Sequence, residues 1–212
     1  HEQHRRGVRA SPNMLTVALT GGLATGKSTV GRMFVTMGCH LVEADLLGHQ
    51  ALAGPARDQT VALFGEGICA PDGSIDRRAL GAVVFKDPAK LSQLNAIVHP
   101  VVEEFRRQRF VEIFGLDPHA IVLYEAAIHI ETGLYKQFAR LILVTCDEQT
   151  QLSRAMARSH WTREQAQARI DRQMPLATKR KFADYVIDTS VSLDDARRQA
   201  EEIYNELRAL VD

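Results

Sequence analysis

With 212 residues the chain is long enough to bury a full core, as one domain carrying an insert. Lysine plus arginine and aspartate plus glutamate balance at 26 each, so no overall field draws the protein to nucleic acid or to an anionic membrane. No run approaches the ~20 apolar residues of a membrane helix, and the cysteines, 3 in number and without C-x-x-C spacing, suit a reducing cytoplasm rather than a disulfide framework.

His1 to Asn13 is basic and polar without the apolar stretch of a signal peptide. It reads as a leader, disordered or foreign to the native chain, with Met14 as a candidate start. Leu15-Thr16-Val17-Ala18-Leu19-Thr20 is an apolar, β-rich run and predicts a buried strand. Gly21-Gly22-Leu23-Ala24-Thr25-Gly26-Lys27-Ser28 follows, with Thr29 behind it. This is G-x-x-x-x-G-K-[ST], a loop whose glycines let successive N–H groups turn inward around phosphate oxygens. Lys27 brings an ammonium to the outer phosphates, and the Ser28 hydroxyl is a candidate Mg²⁺ ligand. Val30, Met33, Phe34 and Met37 then recur with helical spacing, and Gly38 ends that helix.

His40 to Asp45 predicts a second strand that places Glu43 and Asp45 on one face. Acids at a strand end next to a phosphate loop serve as base for an attacking hydroxyl or as water-mediated Mg²⁺ ligands; they are also found simply solvated. Residues 46–115 read as a helical insert over an acceptor substrate. Breakers divide it at Gly54-Pro55, Pro71-Asp72-Gly73, Asp87-Pro88 and His99-Pro100, with a separate helix after the last. Arg77-Arg78 and Arg106-Arg107 are candidates for substrate phosphates or are solvated, and His99 is equally open.

Ala120 to Tyr124 predicts a central strand with Glu125 at its carboxyl end, where nucleotide-binding sheets often keep a metal-directed acid. Leu141 to Thr145 is the next strand. Asp147 caps a helix carrying Gln151, Arg154 and Arg158, and Arg169, Arg172 and Lys179-Arg180-Lys181 continue the positive charge. Guanidinium forks over a moving phosphoryl group, on a segment that closes and excludes water, account for such a stretch; a solvated basic helix is the alternative. Tyr185 to Asp188 is a last strand, and Ser192-Leu193-Asp194-Asp195 opens a final helix whose stripe runs from Leu193 to Leu210. Alternating strands and helices predict an α/β fold with a doubly wound parallel sheet.

In order, these pieces resemble the dephospho-coenzyme A kinase family. The resemblance rests on Leu19 through Thr29, Val42-Glu43-Ala44-Asp45, Asp72-Gly73, Arg77 to Leu80, Val98-His99-Pro100, and Glu131 with Leu134-Tyr135-Lys136. Gln151-Leu152 with Arg154 and Arg158, Arg169-Ile170 with Gln173, and Ala183 to Ile187 complete it. It implies a P-loop NTPase core (14–45, 116–147 and 183–212), a helical acceptor domain (46–115) and a helical lid (148–182). It also implies phosphorylation of the ribose 3′-hydroxyl of dephospho-CoA with ATP and Mg²⁺, by a cytoplasmic monomer or small homo-oligomer.

Carried over by residue, the resemblance makes Lys27, Asp45 and Arg154 catalytic. It gives ATP to Gly22, Leu23, Ala24, Thr25, Gly26, Lys27, Ser28, Thr29 and Arg158, and Mg²⁺ to Ser28. It gives the acceptor to Thr20, Glu43, Asp45, Arg78, His99 and Glu131. Glu43 replaces the usual first aspartate, and Thr132 and Thr189 stand where asparagines are common. Ala24 replaces a common glycine, a change that requires a negative φ at that position. Two rivals are another small-molecule kinase of this architecture and a nucleotide-gated regulatory protein, separated by an acceptor panel and by acceptor-independent hydrolysis.

Overall fold

The structure is a computed structural model that describes residues 14–212; the expected leader lies outside them. Its strands are β1 (Leu15–Gly21), β2 (His40–Glu43), β3 (Ile121–Glu125), β4 (Arg140–Thr145) and β5 (Tyr185–Asp188). They form one sheet in the order β2-β3-β1-β4-β5, with β1 parallel to both β3 and β4, and β4 parallel to β5. The sequence reverses direction across the sheet at β1, so the loop leaving β1 opens at the switch point where α/β sheets hold ligands.

The helices are α1 (Lys27–Thr36), α2 (Ala44–Ala53), α3 (Arg57–Phe64), α4 (Arg77–Val84) and α5 (Pro88–Leu116), then α6 (Glu148–Ser159), α7 (Arg163–Ile170), α8 (Leu176–Lys179) and α9 (Leu193–Ala209). Strand alternation sorts the core into two faces. Val17, Leu19, Ile121, Leu123, Ile142 and Val144 pack on Val30, Phe34, Ala200 and Leu207 of α1 and α9. On the other face Ala18 and Leu141 meet Ile130, with Tyr135, Phe138 and Met174 around them. The Asp147 cap holds, its carboxylate accepting from the Thr150 N–H at 2.7 Å, and so does the Ser192 cap, whose hydroxyl accepts from the Asp195 N–H at 3.0 Å. Cys39 and Cys146 are buried and free, and burial pushes their thiols up to about 12 and about 11; Cys69 is only half-buried.

The described residues divide into two compact units, 14–42 with 112–212, and 43–111. The second has its own core, in which Ile68, Leu80 and Val84 are surrounded by Leu52, Val61, Phe64, Leu91 and Leu94.

Three expectations fail locally. The second strand stops at Glu43, and Asp45 lies in the first turn of α2, so the two acids do not share a strand face. Leu47 and Ala51, buried four apart, set a helical period there and outweigh the short apolar run before it. Asp87-Pro88 separates α4 from α5 as expected, but His99-Pro100 does not separate helices. Pro88 opens α5 behind an Asp87 cap, and the helix runs through Pro100. Proline suits a first helical position; at Pro100 it removes one helical hydrogen bond, which a long helix tolerates as a bend. Finally, Leu193 is 63% exposed and Leu210 44%, so the α9 stripe is shorter than the spacing suggests.

Candidate active site

The loop between β1 and α1 is built from its backbone outward. Gly26 caps α1 at φ 94°, a conformation that glycine adopts freely. Ala24 has φ 58°, which overturns the negative φ expected of it. A left-handed L-residue costs about 1–2 kcal/mol. Ala24→Gly is therefore expected to leave stability unchanged or to raise it by up to about 1 kcal/mol, because glycine's greater freedom in the unfolded chain offsets part of the relief. Urea unfolding measures this, and a clear loss would mean that the Ala24 methyl, packed with Leu152 and Ala155, outweighs the strain.

The loop's carbonyls face away from the anion site into the protein. Gly21 O accepts from Lys179 Nζ at 2.9 Å, Gly22 O from Thr25 Oγ1 at 3.0 Å, and Leu23 O from Gln151 Nε2 at 2.9 Å. Peptide groups turned this way leave their N–H groups for an anion at the positive end of α1. Lys27 Nζ lies 3.7 Å from Glu125 Oε1, with side chains 17% and 10% exposed. Because Leu19 is in register with Glu125 across the β1–β3 pair, the cation and the acid stand at the carboxyl ends of neighbouring strands.

Beside the loop opens a cleft of about 600 Å³ lined by Gly26, Thr29, Arg154, Arg158, Thr189 and Leu193, among others. Arg154 is held there by Thr189, with Nη1 donating to the hydroxyl at 2.9 Å and Nη2 to the carbonyl at 2.8 Å. The Thr189 hydroxyl in turn donates to Thr25 O at 2.6 Å, so one threonine ties the arginine to the phosphate loop. Thr189→Val keeps the shape and removes all three contacts of the hydroxyl, the third being to Thr145 O at 3.3 Å. It is expected to lower stability by about 1–3 kcal/mol and to weaken ATP binding, read by thermal unfolding and by ATP titration. Unchanged ATP affinity would detach Arg154 from the nucleotide.

Ser28 is exposed in the first turn of α1. Among the described residues no group of three or more His, Cys, Asp or Glu side chains could hold a metal ion. Mg²⁺ does not require such a cage, since it is held by one or two protein oxygens together with phosphates and water. The Ser28 hydroxyl, next in sequence to Lys27, and the Glu125 carboxylate beside the Lys27 ammonium are both hard oxygen donors and fit that pattern.

Thr20 is not available to an acceptor: it is fully buried, and its hydroxyl donates to Ala126 O at 2.7 Å, fastening the loop after β3. Glu131 Oε2 lies 3.5 Å from Lys179 Nζ. In the second unit Asp45, Arg78 and His99 are exposed and Glu43 is half-exposed at the start of α2. His49, one turn beyond Asp45, lies with its Nδ1 3.1 Å from Arg77 Nη1. Arginine only donates, so Nδ1 accepts and the ring proton is on Nε2. Sequence reasoning missed Lys179 and Thr189 as site residues. Lys179 stands in a basic run that reads as lid charge; only its spacing of three from Leu176, one helical face, hints that it points inward.

A family model described as dephospho-CoA kinase matches residues 15–195. Curated relatives include the dephospho-CoA kinase of Geobacter sulfurreducens, 37% identical over 90% of this chain and 98% of that protein. That of Symbiobacterium thermophilum is 40% identical over 89% of this chain and 79% of its own length. Among solved structures, a Thermus thermophilus protein superimposes with TM-score 0.79 at 33% identity, covering 92% of this chain and 98% of its own. The dephospho-CoA kinase of Campylobacter jejuni, at 22% identity and TM-score 0.61, shares the fold.

Proposed function

Because the chain belongs to the dephospho-CoA kinase family, we propose that it moves the γ-phosphoryl group of ATP to the ribose 3′-hydroxyl of dephospho-CoA, giving coenzyme A and ADP. The donor half of this reading is carried by Lys27 beside Glu125 at the strand ends, next to the Arg154 and Arg158 cleft. The acceptor half is carried by membership of the family.

In the reaction the 3′-oxygen attacks the γ-phosphorus in line, the bond to the β–γ bridging oxygen breaks, and the hydroxyl proton leaves toward Asp45. Residues 22–29 cradle the phosphates through their N–H groups, and the Lys27 ammonium meets the outer ones. Glu125 orients that ammonium. Arg154 and Arg158 face the nucleotide from α6, in the segment 148–182 that acts as the lid. Residues 46–115 receive the acceptor, with Glu43, Arg78 and His99 on its side and Glu131 bordering it. Ser28 and Glu125 would hold Mg²⁺, which would supply neutralisation of the charge that develops on the triphosphate. Positioning and preset charge account for most of the rate, since phosphoryl transfer asks for little covalent help from the protein.

The deciding experiment offers ATP with dephospho-CoA, nucleoside monophosphates and simple metabolite alcohols, and reads product mass. Efficient phosphorylation of dephospho-CoA alone supports the proposal. Equal or better turnover of another acceptor overturns it, and so does hydrolysis that no acceptor accelerates.

A further inference from the structure

We propose that Lys179 is a positioning residue for phosphoryl transfer: its ammonium fastens the carboxyl end of β1 to the loop after β3, and so sets where Lys27 meets the triphosphate. Lys179 is 0% exposed, the most fully enclosed charge among the described residues. An ammonium has three donors, and three acceptors surround this one: Gly21 O at 2.9 Å, Ala127 O at 3.0 Å and Glu131 Oε2 at 3.5 Å. They come from two stretches of chain far apart in sequence, the end of β1 and the loop after β3. Burying a charge is unfavourable unless it is paired and bonded, and a side chain needed only to fill the space would be apolar.

The acceptors show what the charge holds. Gly21 O is the first of the carbonyls that must turn away for the loop's N–H groups to face an anion. At Gly21 a Cβ would lie 2.7 Å from Thr25 Oγ1 and 2.8 Å from Val144 O, so the backbone is fixed from the other side as well. Ala127 follows two residues after Glu125, the partner of Lys27. Thr20 grips the Ala126 carbonyl and Lys179 the next one, and together they fix the acid that orients the catalytic lysine. Lys179 also ends α8, so the returning end of the segment 148–182 is anchored at the loop, while Gln151 on α6 anchors its other end at Leu23 O.

The charged groups that bear on Lys179 are Glu131, Lys27 of α1 and, beyond Lys27, Glu125 of β3. Burial holds the Lys179 pKa below the ordinary lysine range; Glu131 opposes this, and Lys27 adds to it. Replacing Glu131 by glutamine removes the opposing charge, so Lys179 loses its proton at lower pH.

The inference rests on the kinase reading, and the test separates the two by measuring ATP binding directly. In Lys179→Met, ATP affinity by calorimetry is expected to fall about tenfold and kcat with dephospho-CoA about 100-fold, as for a misplaced reacting group, with the acceptor KM little changed. In Glu131→Gln, the alkaline decline of ATP affinity is expected to begin at lower pH than in the unaltered protein. A folded Lys179→Met variant with unaltered ATP affinity and kcat overturns the proposal, whatever its melting temperature. Should that variant not fold, an unmoved alkaline limb in Glu131→Gln overturns it. If ATP affinity falls as expected while the unaltered protein phosphorylates no dephospho-CoA, Lys179 keeps its role and the acceptor assignment falls.

Discussion

Lys27→Ala is expected to lower kcat/KM by about 10³ or more, on the order of 4 kcal/mol of transition-state stabilisation. Two effects add. The triphosphate loses the ammonium that meets its outer oxygens, where charge spreads during transfer. The Glu125 carboxylate, 3.7 Å from Lys27 Nζ in the intact site, then faces the phosphates without that intervening cation. The double variant Lys27→Ala/Glu125→Gln should therefore lose less than the sum of the two single losses, a non-additivity expected of groups in direct contact. Single-turnover kinetics with ATP and dephospho-CoA measure both, and activity within tenfold of the unaltered protein in the single variant would exclude Lys27 from the chemistry.

Asp45→Asn is expected to lower kcat by about 10³, within the range lost on removal of a general base, while ATP affinity stays within about threefold, since no nucleotide contact is removed. Asp45 is exposed in the first turn of α2, and the amide keeps its shape but not its ability to take a proton. Loss of ATP binding along with turnover would give Asp45 a structural part instead. Full activity would remove it from the reaction and leave Glu43, the acid two residues earlier, as the alternative.

Much of the nucleotide half was legible because its determinants are local. A strand, a glycine-bearing loop and a helix stripe lie within about 25 consecutive residues, and each carries its own signal, from β-rich apolar run to helical spacing. The capping residues Ser192 and Asp147 were legible for the same reason, being one-residue chemistry. What escaped was decided at longer range. Ala24 at φ 58° was hinted at only by the glycine common there in the resembling family, because alanine itself gives no warning of a left-handed position that the fold imposes on it. The turn of chain direction at Glu43 depends on Leu47 and Ala51 finding a core, which a short apolar run before them obscured. Pro100 misled because its effect depends on whether both flanks already form helix. Lys179 misled most: among lysines and arginines it looks solvated, and only contacts 158 and 52 residues away, at Gly21 and Ala127, bring it indoors.

The uneven burial of the three cysteines makes the protein convenient for fluorescence. Maleimide dyes react with thiolate, which Cys39 and Cys146 scarcely form at neutral pH while buried with raised pKa values. Cys69 alone is within reach of reagent, so the unmutated chain is expected to accept one fluorophore, placed among residues 43–111 and ready to report what that unit does when acceptor is added.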